Sequence, residues 1–382
     1  MRLGDCGKTN LHTYSDKEKW SLIRYLDTGS ITEGRIDEIQ TLYPGVDKIP
    51  SRARRKASVG DILFSTVRPN QKHYGIIEAG TENLLVSTGF TVVTVDTTIA
   101  DPYFIYYYLT QSSVIESLQA IAEQSTSTYP SIKPSDIEDI ELDLPELETQ
   151  KKIGSTLRML DRKIALNEEI NDNLQQQAAA LFSSLYDRSN TEVRFTDLIQ
   201  ILGGGTPKTG ENTYWNGNIA FFTPKDVGTP YTLITEKTIS KEGLSHCNSR
   251  LYPVNTVFVT ARGTVGKVGM SGVPMAMNQS CYALVGKETH QLLVYFYTLK
   301  AVDRLKHKAS GAVFDAITTR DFESEQIMKL SDDDATAFLR VAEPMFQEVL
   351  NNNIENLRLS TLRDSLLPKL MSGEIDVSDI QL

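Results

Sequence analysis

The sequence predicts a mixed protein of the α/β (α+β) class, with two pseudo-symmetric domains separated by two long antiparallel helices that form a coiled coil. Three observations support this prediction. The chain of 382 residues is long enough for two cores of ordinary size. Its pattern repeats once along the chain, and each copy ends in a long segment whose apolar residues recur every three or four positions.

Composition is typical of a globular protein. Hydrophobic residues make up 40% of the chain and charged residues 23%, and no apolar run approaches the ~18 residues of a membrane span. The first residues lack the apolar core of a signal peptide. The three cysteines, Cys6, Cys247 and Cys281, form no CxxC pair and indicate neither a disulfide framework nor a zinc site. We therefore expect a protein of the reducing cytoplasm.

The net charge of −10 is unusual for a nucleic-acid-binding protein, but the charges are segregated. Residues 135–148 contain seven acids and no Lys or Arg, whereas basic residues cluster at 52–56 and 304–308. Any one of these clusters could be an ordinary solvated face. Their segregation is compatible with one surface for phosphates and another for a protein partner.

The repeat is clearest at two strand-like segments. Residues 62–68 (ILFSTVR) resemble residues 256–262 (TVFVTAR), because both are apolar runs that end in Thr-x-Arg, 194 positions apart. Three further matches pair residues 87–90 with 279–282, 125–132 with 310–317, and 166–167 with 350–351. The separation shrinks steadily along the chain, as a few deletions in the second copy would produce. The chain is therefore predicted to be a tandem duplication.

Within each copy, short β-rich runs bounded by Gly, Pro, Asn and Asp come first, as at residues 90–95 and 256–260. A short helix follows. Asp101-Pro102 opens it in the first copy, with proline at the favoured first helical position, and residues 292–299 form its counterpart. The aromatic residues of this helix are interpreted as core.

The first long helix is predicted over residues 151–186, with an apolar heptad pattern that indicates a coiled coil. Asn167 and Asn171 fall inside the apolar stripe, where polar residues fix register at some cost in stability. Exposed asparagines beside a stutter are the alternative. The second helix is less regular, and Pro368 should end or bend it. Two such helices in one chain most economically pack against each other.

No catalytic pattern survives inspection. Gly7-Lys8-Thr9 resembles the end of a phosphate loop, but Arg2 stands where GxxxxGK[ST] requires its first glycine. The glycine-rich segment 203–207 opens no GxGxxG helix, and the five histidines do not recur at equivalent places in the two copies. These observations favour a protein that recognises another molecule rather than one that catalyses a reaction on it.

Three segments of the second half resemble a known family. Residues 202–208 (LGGGTPK), 214–219 (YWNGNI) and 223–227 (TPKDV) are similar to the opening of a target recognition domain in the specificity subunits of type I restriction-modification enzymes. The first copy departs from this pattern. There, residues 3–5 match 202–204 faintly, and residues 20–29 stand opposite 219–228.

The helical segments extend the resemblance over nearly the whole chain. Residues 144–153 (LPELETQKKI) and 160–167 resemble the central conserved region of these subunits, and residues 354–375 resemble the distal conserved region. The resemblance implies four parts: target recognition domain 1 at residues 1–143, the central helical region at 144–188, target recognition domain 2 at 189–330, and the distal helical region at 331–382.

The resemblance also implies a function and its partners. Each recognition domain would read one half of a bipartite double-stranded DNA target. The helical regions would bind two methyltransferase subunits, and restriction (translocase) subunits would join them. No cofactor would belong to this chain, because S-adenosylmethionine, ATP and Mg²⁺ would be bound by the partner subunits. No membrane partner is implied.

Arg68 and Arg262 are the strongest candidates for DNA contact. They end matched strands in the two copies, and an arginine can hold guanine or phosphate with two hydrogen bonds. A salt bridge to a neighbouring loop is the structural alternative. Weaker candidates, chosen by loop position, are Thr66, Thr260, Lys225, Asn278, Gln279, Tyr129 and Lys133, with Lys208 and Lys267 for phosphates. The helix positions expected to contact a partner are Leu160, Ile164, Asn167, Leu357 and Leu366.

The long helix would set the distance between the two domains. Residues 151–186 would span on the order of 55 Å at ~1.5 Å per residue, enough for two small domains to address successive major-groove faces roughly 34 Å apart. Two other functions stay open at this point. One is the recognition half of a methyltransferase or nuclease fusion, and the other is a repeat scaffold that does not bind DNA.

Overall fold

The computed structural model describes residues 1–125, 129–228, 230–308 and 316–377. The contacts divide the chain into two compact units, one made of Met1–Lys163 with Leu359–Leu382 and the other of Ile164–Arg358. Most of the repeat match between 125–132 and 310–317 cannot be compared, because residues 126–128 and 309–315 lie outside the described part.

Ten helices occur in the described part of the chain. They are α1 (Leu3–Cys6), α2 (Pro102–Leu109), α3 (Ser112–Glu123), α4 (Pro134–Glu138), α5 (Leu147–Asp187), α6 (Phe195–Leu198), α7 (Lys241–Ser245), α8 (Gln291–Lys308), α9 (Thr319–Ser324) and α10 (Asp332–Met371). The predicted start of α2 is confirmed, because the Asp101 carboxylate caps it by accepting a hydrogen bond from the Phe104 N–H at 2.9 Å.

The strands of the first unit form two four-stranded sheets and a hairpin. They are β1 (Gly7–Thr9), β2 (Ile23–Leu26), β3 (Ile31–Thr32), β4 (Arg35–Ile36), β5 (Gln40–Leu42), β6 (Ala53–Lys56), β7 (Ile62–Ser65), β8 (Tyr74–Ile76), β9 (Leu84–Ser87) and β10 (Phe90–Val95). The sheet orders are β1-β10-β7-β8 and β5-β2-β9-β6, with β3-β4 separate. The strand pairs are antiparallel except for β2 with β9.

The second unit repeats this plan with additions. Its strands are β11 (Thr191–Arg194), β12 (Ile199–Gly203), β13 (Trp215–Phe222), β14 (Tyr231–Thr232), β15 (Lys237–Ile239), β16 (Val257–Thr260), β17 (Val268–Ser271), β18 (Met275–Met277), β19 (Cys281–Gly286) and β20 (Gln326–Lys329). They form sheets ordered β12-β19-β16-β17-β14, β15-β13-β18 and β11-β20. The parallel pair β13 and β18 repeats β2 and β9.

Hydrogen-bond register corrects the sequence match between the two copies by one residue. The Thr66 N–H donates to the Gly89 carbonyl and its carbonyl accepts from the Ile132 N–H. Ala261 repeats both bonds, to Ser280 and from Ile317, so the matched strands are 195 positions apart rather than 194. Val67 and Arg262 then correspond. Each forms an isolated bridge just after its strand, to Ser131 and Ala316 respectively.

Arg68 and Arg262 therefore follow equivalent strands, β7 and β16, but they do not occupy equivalent positions, because the counterpart of Arg68 is Gly263. The match of residues 87–90 with 279–282 is also one residue out, because Phe90 corresponds to Cys281. Packing agrees with the corrected register. Phe64 and its new counterpart Val259 both lie on the sheet face that packs against helices. A one-residue slip would have turned one of them to the opposite face.

The faint match of residues 3–5 with 202–204 is wrong as well. Leu3 begins α1, whose counterpart is α6 beginning at Phe195. Both residues are fully buried, and both helices are capped in the same way. The N–H of Arg2 donates to Asp5 at 2.8 Å, and the N–H of Arg194 donates to Asp197 at 3.2 Å. The match of 20–29 with 219–228 shifts similarly, since strand pairing aligns Leu26 with Phe222.

The two long helices pack antiparallel in both units, as predicted. In the second unit Phe182 of α5 contacts Phe338 of α10, with ring centroids 5.5 Å apart. Asn171, which precedes Phe182 in α5, donates to Asn353, which follows Phe338 in α10, so the two helices run in opposite directions. In the first unit Asp161 of α5 pairs with Arg363 of α10 at 2.7 Å. Pro368 does not end α10 at its own position, because the helix continues to Met371.

Asn167 and Asn171 are buried inside the helix pair, as predicted. Asn167 donates to the side-chain oxygen of Asn356 at 2.8 Å, and Asn352 donates to that of Asn171 at 2.9 Å. These four residues are called the asparagine layer below. Asn167 and Asn352 are 185 positions apart, as are Asn171 and Asn356. Each asparagine of one copy therefore has its counterpart in the other, and the Asn167–Asn356 bond corresponds to the Asn352–Asn171 bond. The match of 166–167 with 350–351 is thus one residue out.

Candidate DNA interface

The second unit carries an open cleft of roughly 370 Å³ at one end of its sheets. Four chain segments line it: residues 223–225, 236–237, 262–263 and 278–280. The lining residues are Thr223, Pro224, Lys225, Glu236, Lys237, Arg262, Gly263, Asn278 and Ser280. The structure therefore brings together three of the residues selected from sequence, Lys225, Arg262 and Asn278.

The Thr-Pro-Lys-Asp turn that follows β13 is held by the carboxylate of Asp226. This group accepts hydrogen bonds from the Thr223 N–H at 2.7 Å and the Thr223 hydroxyl at 2.6 Å, and from the Glu236 N–H at 2.7 Å. The turn leaves Lys225 exposed at its tip. Lys225 lies 3.6 Å from Glu236, and both side chains are largely exposed, so this ion pair contributes little to stability.

Thr260 positions the turn that carries Arg262 and does not face solvent. Its side chain is fully buried. Its hydroxyl donates to the carbonyl of Thr264 and accepts from the Lys267 N–H at 2.9 Å. The prediction of direct DNA contact by Thr260 is therefore corrected to a positioning role. Arg262 and Lys267, at either end of the turn, are both exposed.

The glycine-rich segment after β12 packs against the loop that carries Asn278. A Cβ on Gly204 would lie 2.2 Å from the carbonyl oxygen of Asn278, so only glycine allows this approach. The Gly205 N–H then donates to the Met277 carbonyl at 3.1 Å. The Thr206 hydroxyl donates to the side-chain oxygen of Gln279 at the cleft rim. The motif thus has a structural role beside the cleft.

Lys237 is a lining residue that the sequence analysis missed. It belongs to β15, and its ammonium lies 5.8 Å from the centre of the Trp215 ring. The Trp215 indole N–H donates to the carbonyl of Lys208 at 3.2 Å. Lys208 is therefore adjacent to the cleft through Trp215, although it does not line it. No local pattern around Lys237 marks it as a cleft residue, because its place depends on the pairing of β15 with β13.

In the first unit, Arg68, Tyr129 and Thr66 come together at the corresponding strand end. The Arg68 guanidinium lies 5.3 Å from the centre of the Tyr129 ring. The Arg68 N–H donates to the carbonyl of Pro130 at 3.0 Å, and the Thr66 hydroxyl donates to the carbonyl of Gly89 at 2.9 Å. Arg68 and Tyr129 are exposed. Lys133 caps α4 nearby with its side chain exposed.

The helix residues selected as partner contacts are mostly part of the helix packing. Leu160, Ile164, Leu357 and Leu366 are half-buried, and Asn167 is fully buried in the asparagine layer. Asn167 therefore cannot contact a further subunit while the layer is intact. The exposed apolar side chains on these helices are others, among them Met159, Leu166, Ile170, Val341 and Leu362.

The described cleft presents amide, hydroxyl and cationic groups, with the carboxylate of Glu236 beside them. The nearest thiol, Cys281, is fully buried at the start of β19. Burial, reinforced by the negative charge of Asp226, raises the pKa of this thiol to about 12, so it stays protonated at neutral pH.

No helix in the described ranges combines the length and apolarity needed to cross a bilayer.

Comparison with known proteins places this architecture in a family. The family described as "Type I restriction modification DNA specificity domain" matches twice, at residues 53–176 and 188–329. The HindI specificity subunit of Haemophilus influenzae is 25% identical, with 98% of each chain covered. The MjaIX specificity subunit of Methanocaldococcus jannaschii is 21% identical over 84% of this chain and 79% of that protein.

A solved structure supports the fold. The S subunit of a type I restriction-modification system from M. genitalium superposes with a TM-score of 0.60 at 15% identity, covering 97% of this chain and 95% of that one. The two family matches fall one in each half of the chain, as the duplication predicts. The chain belongs to the family of type I restriction modification DNA specificity domains.

Proposed function

We propose that this chain is the DNA-recognition subunit of a type I restriction-modification complex and that each of its two units reads one half of a bipartite target. The observation that carries the proposal is the cleft of the second unit. There, exposed cations and an amide converge from four loops that are held by buried anchors, in a chain that belongs to a DNA specificity family.

The proposed division of labour follows the chemistry of the side chains. Arg262 and Asn278 offer the donor and acceptor groups that distinguish base edges in the major groove. Lys225 and Lys237 are exposed cations suited to phosphates, which position a protein on DNA without specifying sequence. In the first unit Arg68, backed by Tyr129, would take the base-reading role. Gln279, Thr66 and Lys133 flank these groups as secondary contacts.

Catalysis and its cofactors are assigned to partners in this proposal. Two methyltransferase subunits would bind the helices and supply S-adenosylmethionine, and restriction subunits would supply ATP and Mg²⁺ chemistry, in the cytoplasm where the DNA lies. The central and distal helical regions, proposed at residues 144–188 and 331–382, would hold the recognition domains at 1–143 and 189–330 apart and so set the length of the spacer.

The two alternatives from the sequence find no support. The relatives are named specificity subunits, and this chain covers 98% and 79% of their lengths. A scaffold that does not bind DNA would not belong to a DNA specificity family.

The decisive experiment is genome-wide mapping of methylated sites in the host with and without this chain. The proposal expects a two-part motif with a non-specific spacer that disappears when the chain is deleted. Retention of the motif after deletion would reject it. Binding of the mapped duplex by the purified chain, with strong salt dependence, would distinguish direct reading from an indirect effect.

A further inference from the structure

A group of three cations without acidic partners surrounds the turn at residues 262–267. Arg262 and Lys267 flank the turn, and Lys306 reaches it from the end of α8; all three are exposed. Within residues 1–125, 129–228, 230–308 and 316–377, no carboxylate lies within 4.0 Å of their charged groups. The neighbouring Lys308, by contrast, is bonded to the buried Glu325 at 2.5 Å.

Gly266 leaves room for the Lys306 side chain to lie close against this turn. Its φ is +74°, which favours glycine, and a Cβ added there would lie 2.6 Å from Cε of Lys306 and 3.1 Å from Cγ1 of Val302. The aliphatic stem of Lys306 therefore lies directly across the glycine. The Lys306 ammonium therefore lies beside the backbone of the turn that carries Arg262 and Lys267.

The first unit handles the corresponding place without free lysines. Its turn, at residues 69–71, contacts α3 through an uncharged bond from the Asn70 N–H to the Gln119 side chain at 3.3 Å. Lys72, at the end of that turn, is already paired with Glu33 at 2.5 Å. Among the described residues, lysines without an acidic partner at this turn therefore occur in the second unit and not in the first.

We propose that Lys306 and Lys267 form a phosphate-binding site for the DNA backbone beside the cleft of the second unit, where Gly266 leaves room for the Lys306 side chain. The inference rests on the proposed function, which it deepens by separating phosphate contacts from base contacts. Unpaired ammonium groups cost little to keep exposed, and they release condensed counterions from DNA when they neutralise phosphates.

The test is the salt dependence of binding by the full chain to two duplexes. One carries the target obtained by methylation mapping, and the other has the same composition in shuffled order. Lys306→Gln should weaken binding to both duplexes by about fivefold at 0.15 M salt, and it should reduce the slope of log K against log salt by about 0.9. Lys267→Gln should act likewise.

Two control variants isolate the site. Lys329→Gln removes one positive charge from a lysine that already has an acidic partner, Asp332 at 3.6 Å, and should leave the slope unchanged. Lys306→Arg keeps the charge and should bind as wild type does. An unchanged slope in Lys306→Gln, or an equal loss in Lys329→Gln, overturns the inference.

The failures of the two proposals are distinguishable. If the wild-type chain does not discriminate between the mapped and shuffled duplexes at any salt concentration, the proposed function fails. If discrimination is present and Lys306→Gln weakens only the mapped duplex, then Lys306 contacts a base and the phosphate site alone is rejected.

Discussion

Asn171→Leu should destabilise the helix pair, because it leaves the buried side-chain amide of Asn352 without its hydrogen-bond acceptor. In the structure, Asn171 accepts from the Asn352 side chain at 2.9 Å and donates to that of Asn353 at 2.9 Å, and its own side chain is 4% exposed. A buried amide left without a partner costs about 1–3 kcal/mol. Burial of the leucine offsets part of this cost, so we expect a net loss of about 1–2 kcal/mol.

The double substitution Asn171→Leu with Asn352→Leu removes both halves of the bond and strands neither. Asn353, the other partner, is half-buried and can bond to water. We therefore expect the double variant to lie within about 1 kcal/mol of wild type, because replacing both partners by apolar groups is nearly neutral. The coupling between the two substitutions should be about 1–3 kcal/mol, as for other residues in direct contact.

The assay is urea unfolding of the full chain, followed by circular dichroism and by the fluorescence of its tryptophans. Asn351→Leu is the matched control, since Asn351 neighbours the layer in sequence but is exposed; it should change stability by less than about 0.5 kcal/mol. Additive losses in the double variant would refute the reasoning, because they would mean that the two amides do not depend on each other.

Three further predictions concern function. Arg262→Ala should weaken recognition of one half-site and Arg68→Ala the other, each by ~1–3 kcal/mol in competition binding; equal losses on every sequence would assign them to phosphates. Inserting four residues at 175–177 of α5, with four at the opposing 346–348 of α10, adds ~6 Å of helix. Since ~6 Å is just under two base-pair steps of roughly 3.4 Å, methylation mapping should then show unchanged half-sites with a spacer about one or two base pairs longer. Altered half-site bases with the old spacer would contradict a spacing role for the helices. The purified chain should neither methylate nor cleave DNA nor hydrolyse ATP, and turnover that survives stringent removal of partners would contradict this.

Helices and their caps were predictable because their signals are local. Asp101-Pro102 marks a helix start by its own chemistry, and the heptad pattern of α5 needs no knowledge of the partner helix. The start of α5 was set four residues late, at 151 rather than Leu147. The acidic first turn, which contains Glu148, was the signal that could have moved it.

Strand register was not predictable to one residue. The Thr-x-Arg ending invited an alignment of Thr66 with Thr260, yet Ala261 repeats the backbone hydrogen bonds of Thr66, which aligns Ser65 with Thr260. Ser and Thr are both small and hydroxylated, so composition does not separate the two alignments. Only cross-strand pairing, which joins residues far apart in sequence, reveals which face each residue occupies.

The residues of the candidate cleft were predictable where local motifs mark them and not where strand pairing places them. Residues at loop tips, such as the exposed Lys225 and the half-buried Asn278, could be chosen from their motifs. Lys237 lies in a short strand without a distinctive pattern, and its place in the cleft depends on the pairing of β15 with β13. The burial of Thr260 depends on the turn that closes over it.

The separation of anchors from tips in the second unit bears on how such a protein can acquire new targets. Asp226, Thr260 and Gly204 hold the loops from within, whereas the side chains of Arg262 and Lys225 are exposed to solvent. Substitutions at exposed positions usually change stability by less than about 0.5 kcal/mol. The tips can therefore vary almost freely while the anchors stay constant, and altered specificity becomes accessible through single substitutions without loss of folding.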